Sequence, residues 1–465
     1  MSNVYFKVII DEIPRLLGLL DKNPISPTFG SFDRNYWHYN ISDFSCARFQ
    51  EATLTLALLY LLNYDNNPYY NSEDILKFIN GGVNFWCKIQ RKNGSFDEWY
   101  PYEGSFVATA FSTCAILEVL LLLKEKIANF DNSLRCIKKA VDFLSKNVDY
   151  TACNQEAGAI LAIYNCYLLT SESKYRDLAY KRLNDLSKLQ KEEGWFPEYG
   201  GPDIGYLSLT IDYLAKVYEK SNWDLAKEML TKAIDFLYYF SHPDGSFGGE
   251  YGSRNTKYII PSGIEFIAPW NRKAGYIAFN LRRALFEKKT IGPYNLDDRY
   301  LAYIGYTYLQ ASLYFREDLE VEERGHVDKY FEESGIWVFS NSSFYLVSNF
   351  KKGGVLKVNF KNGSSFKDSG IILKTKNKIY TSSWLNSSEE KIIKDGGFKV
   401  SREMKLISFY KMSIIKGISL RVFQLLLGRF EFINKLVKKF LRGILITKQK
   451  SSGIRFFRTI KVVKE

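Results

Sequence analysis

The sequence predicts a multidomain α and β chain: an N-terminal α/α toroid of about six helical hairpins over residues 1–325, then an antiparallel, sandwich-like β domain over 326–465. Three observations carry this reading. Apolar residues recur at helical spacing through the first two thirds of the chain. Turns in which a glycine is followed by an aromatic punctuate those helices, and after about Gly325 the pattern changes to short β-branched and aromatic runs.

The helical segments, in chain order, are 47–62, 106–124, 134–146, 155–169, 175–189, 206–218, 224–240 and 300–315. Between them lie Gln90 to Phe96, Gln190 to Phe196 and His242 to Phe247. Their glycines, Gly94, Gly194 and Gly245, stand 100 and 51 residues apart, with a weaker copy near Asn147. The unit is therefore about 50 residues long, and about six fit into the helical region. A two-helix unit cannot bury its apolar faces alone, so the hairpins stack, and closing the stack into a ring removes the uncovered ends. One helix of each pair then lines the middle, and the Gly-aromatic loops gather at one mouth. Taken singly, each loop also reads as a helix C-cap with its staple aromatic.

Beyond Gly325, the runs 335–339, 343–348, 354–360, 370–374 and 378–381 read as at least five short strands broken by Asn, Gly and Ser, spaced as in a sandwich. Residues 414–447 return to helical spacing, mixing Leu420, Val422, Phe423, Leu426 and Leu427 with Lys435, Lys438, Lys439 and Arg442. Two readings stay open here: a basic amphipathic helix lying on an anionic membrane or glycan, or a helical insertion packed on the β domain. Residues 454–463 read as a strand, which would make the helical stretch an insertion.

With 465 residues, 46% of them hydrophobic, global disorder is excluded. The net charge of +13 comes wholly from residues 401–465, where 16 basic side chains meet 3 acidic ones; the first 400 residues carry 48 of each sign. That basic region is joined to an apolar helix pattern rather than to a recognised nucleic-acid fold. No nucleic-acid partner is expected, and the charge serves either peripheral membrane contact or the solvated outer face of a packed insertion. The six cysteines have no CxxC pair and no histidine at zinc spacing, so buried reduced thiols, no metal and no cofactor are expected, with one carboxylate-bound calcium in the loops left open. The first twenty residues carry acids inside their apolar stretch and lack a small-residue cleavage site. No window reaches the roughly 18 to 20 apolar residues of a membrane span, so a cytoplasmic location is expected. The 33 tyrosines suit sugar binding or a large core equally well.

The segment richest in chemistry runs from Thr151 to Tyr218. Asn154, Gln155 and Glu156 open one helix; Glu193 to Tyr206, with Glu198, Tyr199 and Asp203 among glycines, runs into another. In order and spacing this resembles the toroid-plus-sandwich polysaccharide lyases, the heparinase II/III-like and alginate-lyase-like group, across the helical body and more loosely the β domain. In that group an Asn-His pair begins one inner helix, and an acid-bearing Gly loop about fifty residues on delivers a Tyr at the start of another. The resemblance implies an acidic, uronate-containing glycan as partner, β-elimination as reaction and a role in surface polysaccharide metabolism. By position Asn154 matches the Asn, Gln155 stands where the group has His, Glu198 matches the loop acid and Tyr206 the catalytic Tyr. Elimination needs the uronate carboxylate neutralised, a base for the C5 proton and an acid for the leaving oxygen. Gln exchanges hydrogen bonds but takes no proton. Asn154 and Gln155 are therefore assigned to the carboxylate and Tyr206 to acid and base, provided a cation lowers its pKa from about 10.

Arg254 is the expected cation. It sits in a Gly-rich loop with Glu250, Tyr251 and Asn255, and its planar fork suits a carboxylate. The plainer reading pairs it with Glu250 across the loop. Glu265 is a weaker candidate. Nearer the N-terminus, Trp37, His38 and Arg48 belong to a dense polar-aromatic cluster that either stacks a sugar or plugs one end of the toroid. His38 replaces the imidazole lost at Gln155 if the first and third hairpins face each other.

Other classes share this raw material. A six-hairpin glycoside hydrolase needs two carboxyl groups about 5 to 9.5 Å apart, and Glu98, Glu103, Glu198, Asp203 and Glu250 all fall in loops of one mouth. A uronate C5-epimerase needs the same proton abstraction without loss of the leaving group. A terpene-cyclase toroid is disfavoured, because Asp297-Asp298 is only a pair and no DxDD motif occurs. A non-catalytic glycan-binding or assembly protein is favoured by Gln155 and the basic tail.

Overall fold

The computed structural model describes residues 3–385, 393–394, 397–407, 413–428, 430, 432–433, 436–437 and 452–462. Two short helices, α1 (Val4–Ile10) and α2 (Ile13–Leu19), and a single turn, α3 (Arg34–Trp37), precede a series of hairpins. These are built from α4 (Ala52–Leu61), α5 (Glu73–Lys88), α6 (Phe106–Leu123), α7 (Phe130–Lys146), α8 (Cys153–Thr170), α9 (Ser173–Ser187), α10 (Ile204–Ser221), α11 (Asp224–Leu237), α12 (Ser262–Ile267), α13 (Arg272–Phe286) and α14 (Asp298–Tyr314).

Each of α4, α6, α8, α10 and α12 packs on the next inner helix, α12 meets α14, and α14 returns to α4, so six inner helices close a ring. The outer positions belong to α5, α7, α9, α11 and α13, and the sixth is filled by α1, which packs on both α13 and α14. The toroid is therefore sealed by joining the first helix of the chain to the last of the helical region. Covered on every side, the inner helices have no polar face: α6 buries residues from Ala108 through Leu120 without a break. The sequence expectation that no segment is long and apolar enough to cross a membrane needs correcting here. Phe106–Lys126 meets that test by length and composition, and it is mostly buried inside the toroid.

The Gly-aromatic turns have a common mechanical role. Gly94, Gly194 and Gly245 have φ of +88°, +104° and +77°, and a Cβ on them would strike the Lys139 carbonyl of α7, the Lys232 carbonyl of α11 and the Ala284 side chain of α13. Each turn is thus pressed against the outer helix of the next hairpin. Gln90 Nε2 donates to the carbonyls of Gly94 (3.2 Å) and Cys136 (2.8 Å), and Gln190 Nε2 repeats this with Gly194 and Met229 at 2.9 Å each. The weak copy at Asn147 uses a different clamp, in which buried Arg182 of α9 donates to the Asn147 carbonyl (3.1 Å) while paired with Glu156 (2.6 Å). A further copy escaped sequence reading: Gly30-Ser31-Phe32, with Gly30 at φ +89° against the Gly81 carbonyl of α5.

Beyond α14 the chain forms β1 (Val327–Phe331), β2 (Ile336–Ser340), β3 (Phe344–Asn349), β4 (Val355–Phe360) and β5 (Ser365–Asp368), an antiparallel five-stranded sheet in sequential order. Further on come β6 (Ile372–Lys374), β7 (Ile379–Thr381), β8 (Ile393–Lys394), β9 (Phe398–Glu403), β10 (Lys405–Ile407) and β11 (Arg455–Ile460), in sheets ordered β10-β7-β6 and β11-β9-β8. The alternation of the strands decides how the two parts join. Ile336, Val338, Tyr345, Val347 and Val355 join the toroid core, whereas Trp337, Leu346, Leu356 and Val358 join a second core with Phe398, Val400 and Phe456. Trp337 and Phe350 lie 4.9 and 4.4 Å from the Phe398 ring, which closes the sandwich. The five-stranded sheet is thus covered on both faces.

The final strand pairs with β9, so helix α15 (Ile414–Leu426) is an insertion between β10 and β11. None of its side chains is buried, and Ile414, Ile415, Ile418 and Leu426 are exposed. Among the described residues α15 is thus an insertion with no buried side chain, held to the toroid by Arg421 with Asp43; Lys435, Lys438, Lys439 and Arg442 lie outside the described residues. The cysteines are all free, four of them buried.

Candidate active site at the toroid mouth

Because the inner helices share one direction, the loops ahead of α4, α6, α8, α10, α12 and α14 all open at the same end. The loops ahead of α8 and α10 are stitched by a bridge between Ala152 and Glu198. Glu198 is buried and accepts from both the backbone N (2.8 Å) and Nδ2 (2.7 Å) of Asn154. Burial holds its carboxyl well above the usual range, against those hydrogen bonds. Asn154 is thus occupied by Glu198, and the expectation that its side-chain amide faces a substrate carboxylate is corrected accordingly. Gln155, half-buried on the first turn of α8, makes no side-chain hydrogen bond among the described residues.

Asp203 caps α10, accepting from the Tyr206 backbone N at 3.3 Å. It also accepts from the backbone N of Arg254 (2.9 Å) and from the Thr256 hydroxyl. Buried and fully engaged, Asp203 pins the loop that carries Arg254 rather than meeting substrate. That loop leaves the Arg254 guanidinium exposed, 4.7 Å over the ring of Tyr199, with no carboxylate partner among the described residues. Glu250, the partner of the plainer reading, instead pairs with Lys257 at 3.1 Å.

Tyr206 is half-buried in this group, with Tyr300, Arg254 and Tyr199 as its electrostatic neighbours. Its hydroxyl makes no hydrogen bond to a described residue. Burial pushes its pKa up to about 12, with Tyr300 acting in the same direction and Arg254 pulling the other way. The expected lowering below 10 is thus overturned for the free protein: the cation is present, but desolvation outweighs it.

Other expected contacts are internal. Tyr251 is fully buried with its hydroxyl 2.8 Å from Nε2 of His242. Asn255 Oδ1 accepts from Lys352. Glu265 is buried between Arg282 and the Tyr5 hydroxyl (2.6 Å). Each is removed from the candidate site by burial or by a partner already in place.

The N-terminal cluster divides. Trp37 donates from Nε1 to the Leu19 carbonyl (2.8 Å), and the exposed imidazole of His38 lies against the rings of Trp37 and Tyr39, with no side-chain hydrogen bond among the described residues. No contact links His38 to Asn154 or Tyr206. Arg48 turns inward, 2.7 Å from Glu51 and 4.0 Å from Glu98, with its guanidinium 3.9 Å over Tyr303 and 4.8 Å over Phe111. Burial pushes Glu51 up to about 7 and raises Glu98 as well, although Arg48 opposes both shifts. Below them the lumen is filled by Lys216–Asp212 (2.6 Å) and by Asn165 bonded to Glu118 (2.7 Å), so the toroid is not a pore.

Sequence reading missed Trp99, Arg299 and Tyr300. Trp99 is 63% exposed with the Arg299 guanidinium 4.4 Å over its ring, and Tyr300 lies beside Tyr206. The available signal was phase, since Arg299 and Tyr300 stand just after the N-cap Asp297 of the sixth inner helix, where the repeat places mouth residues.

Solved structures superpose on this closed helical ring and its antiparallel sheets. The Streptomyces coelicolor A3 chondroitin AC lyase, solved in complex with chondroitin sulphate, matches 87% of this chain and 64% of its own at 10% identity and a TM-score of 0.53. A Paenibacillus xanthan lyase matches 87% and 45% at 11% identity and a TM-score of 0.51. An unsaturated glucuronyl hydrolase from Streptococcus agalactiae matches 69% and 94% at 11% identity, with a TM-score of 0.46. The likeness to the two lyases, at these identities, is one of fold, and this chain spans less than two thirds of the length of either. No family model matches the sequence, and no curated protein sequence matches it.

Proposed function

We propose that the chain is a polysaccharide lyase-like enzyme acting on a uronate-containing glycan at the toroid mouth. The observation that carries the reading is the exposed Arg254 guanidinium, set beside the half-buried phenol of Tyr206, with no carboxylate paired to the one and no hydrogen bond to the hydroxyl of the other among the described residues. Arg254 takes the uronate carboxylate, with the Gln155 amide as a second donor, and this neutralisation makes the C5 proton acidic. The Tyr206 phenolate takes that proton, the C4–O bond breaks as the C4–C5 double bond forms, and the resulting phenol returns the proton to the leaving oxygen. Since burial holds Tyr206 as phenol at neutral pH, turnover rises towards alkaline pH as the phenolate fraction grows.

The test is Tyr206→Phe assayed on uronate-containing polymers, with ultraviolet absorbance and mass spectrometry of products. A loss of about 10²- to 10⁴-fold is expected at unchanged melting temperature; full retained activity ends this reading. One observation favours a hydrolase instead: Glu51 and Glu98, both with raised carboxyl pKa, meet at Arg48. Hydrolysis adds water and forms no double bond, so product mass separates the two. The uncovered apolar residues of α15 and the basic sequence around them support peripheral contact with an anionic membrane, in keeping with a cytoplasmic site of action.

A further inference from the structure

Against the loop that carries Arg254, between the toroid and β4–β5, lies a cleft of about 480 Å³. Lys257, Lys288, Lys289, Lys357 and Lys367 line it, with Asp244 and Glu250 its only acids. Asp244 accepts from Asn359 Nδ2 (2.7 Å) and the Ser246 hydroxyl (2.7 Å), and Glu250 pairs through Oε1 with Lys257, while its buried Oε2 has no hydrogen bond among the described residues. Lys289 in turn pairs with Glu287 (2.6 Å). Lys288, Lys357 and Lys367 are left with no carboxylate partner among the described residues.

Lys357 is the most informative of the three. Alternation along β4 puts it in the row that faces the toroid, alongside Val355, and it is only 6% exposed. Its Nζ lies 2.8 Å from His242 Nδ1 and 2.9 Å from Ser246 Oγ, both neutral groups, and burial lowers its pKa to about 8. Thr290, 5% exposed and lining the same cleft, has a buried hydroxyl without a hydrogen bond among the described residues. A buried ammonium bonded only to neutral groups, with Asp244 and Glu250 near it but not in contact, and a buried hydroxyl without a hydrogen bond are costly unless something else meets them. Here they converge on a cavity rimmed by two further unpaired ammonium groups.

We propose that this cleft binds an oxyanion substituent, a sulfate ester or carboxylate, carried by a glycan. Lys257 stands three residues from Arg254, a reach of about 10 Å at most, so one wall serves both the mouth and the cleft. A chain holding a uronate at Arg254 can thus present a second anionic group here. This link to the mouth rests on the function proposed above; oxyanion binding in the cleft does not.

The test uses the full chain carrying Tyr206→Phe, so that turnover consumes no ligand. Calorimetry at low salt compares a sulfated uronate oligosaccharide, a neutral oligosaccharide of equal length and inorganic sulfate. Lys288→Ala with Lys367→Ala, both exposed positions, is expected to weaken the sulfated oligosaccharide about tenfold or more while leaving the neutral one and the melting temperature unchanged. Lys357→Gln is expected to do the same, and is read only if its melting temperature holds; the exposed pair decides otherwise. Equal affinity of the double variant and its parent overturns the proposal, as does inorganic sulfate binding as tightly as the oligosaccharide. If Tyr206→Phe keeps full turnover while the double variant still loses binding, the mouth mechanism fails and the cleft stands.

Discussion

Arg48 and Arg254 both sit in loops ahead of inner helices at one mouth, and their surroundings differ in almost every respect. Arg48 is enclosed by Glu51, Glu98, Tyr303 and Phe111, whereas Arg254 is exposed and rests on a single ring, Tyr199. Both clusters are dense in polar and aromatic residues, and from composition they look alike. The difference lies in where the counter-charge comes from. The chain itself supplies it to Arg48, which then serves to close the ring. Among the described residues it supplies none to Arg254, so that charge stays available to a ligand.

Removing the enclosed cation tests this most severely. Arg48→Met leaves two buried carboxyl groups without their partner and is expected to cost about 3–5 kcal/mol of stability, read as a lower denaturation midpoint, with the largest loss at alkaline pH where both carboxyls ionise. Arg254→Ala is expected to leave the melting temperature unchanged. It should lower kcat/KM on an acidic glycan by about 10- to 100-fold, the worth of one charged hydrogen-bonded contact. If the two outcomes were exchanged, the assignment of roles would be reversed.

A smaller effect follows from Glu51. Its folded pKa, about 7, lies above the ordinary 4.5, so the native state binds the extra proton between those values. Stability from this group is full at low pH and lost as pH rises through about 7. Glu51→Gln should therefore flatten the dependence of melting temperature on pH across that window; an unchanged slope counts against a buried, proton-binding carboxyl. Smallest of all, Ile415→Glu with Ile418→Glu on α15 should reduce sedimentation with anionic vesicles without altering glycan turnover. Equal sedimentation of variant and parent removes the membrane contact.

The legible parts of the molecule were those specified locally. Gly94, Gly194 and Gly245 could be found because a positive φ against a neighbouring helix demands glycine, and the Gln before two of them recurred at the same offset. Gly30 has the same role, but its position breaks the regular spacing and no Gln precedes it. The strands at 336–340, 344–349, 355–360, 372–374, 379–381 and 455–460 were visible from their β-branched and aromatic runs, whereas those at 327–331, 365–368 and 398–403, and the pairing of 455–460 with 398–403, came only from the structure. Tyr206 and Arg254 are electrostatic neighbours in the structure, yet the direction of the tyrosine's pKa depended on how much water reaches the hydroxyl. Spacing along the chain carries no information about that.

The sequence by itself determined the helix and strand periods, the repeated turns and the order of the two parts, because each follows from side-chain size, backbone freedom and apolar spacing within a few residues. Only the tertiary structure decided that α1 closes the ring against α14, that Tyr251, Asp203 and Glu265 are sealed, and that Arg254 is left without a counter-charge. Those outcomes depend on contacts between residues up to some three hundred positions apart, such as Asn3 with Ser312 at 2.7 Å. Burial, which sets both partner and pKa, arises only when such distant segments meet.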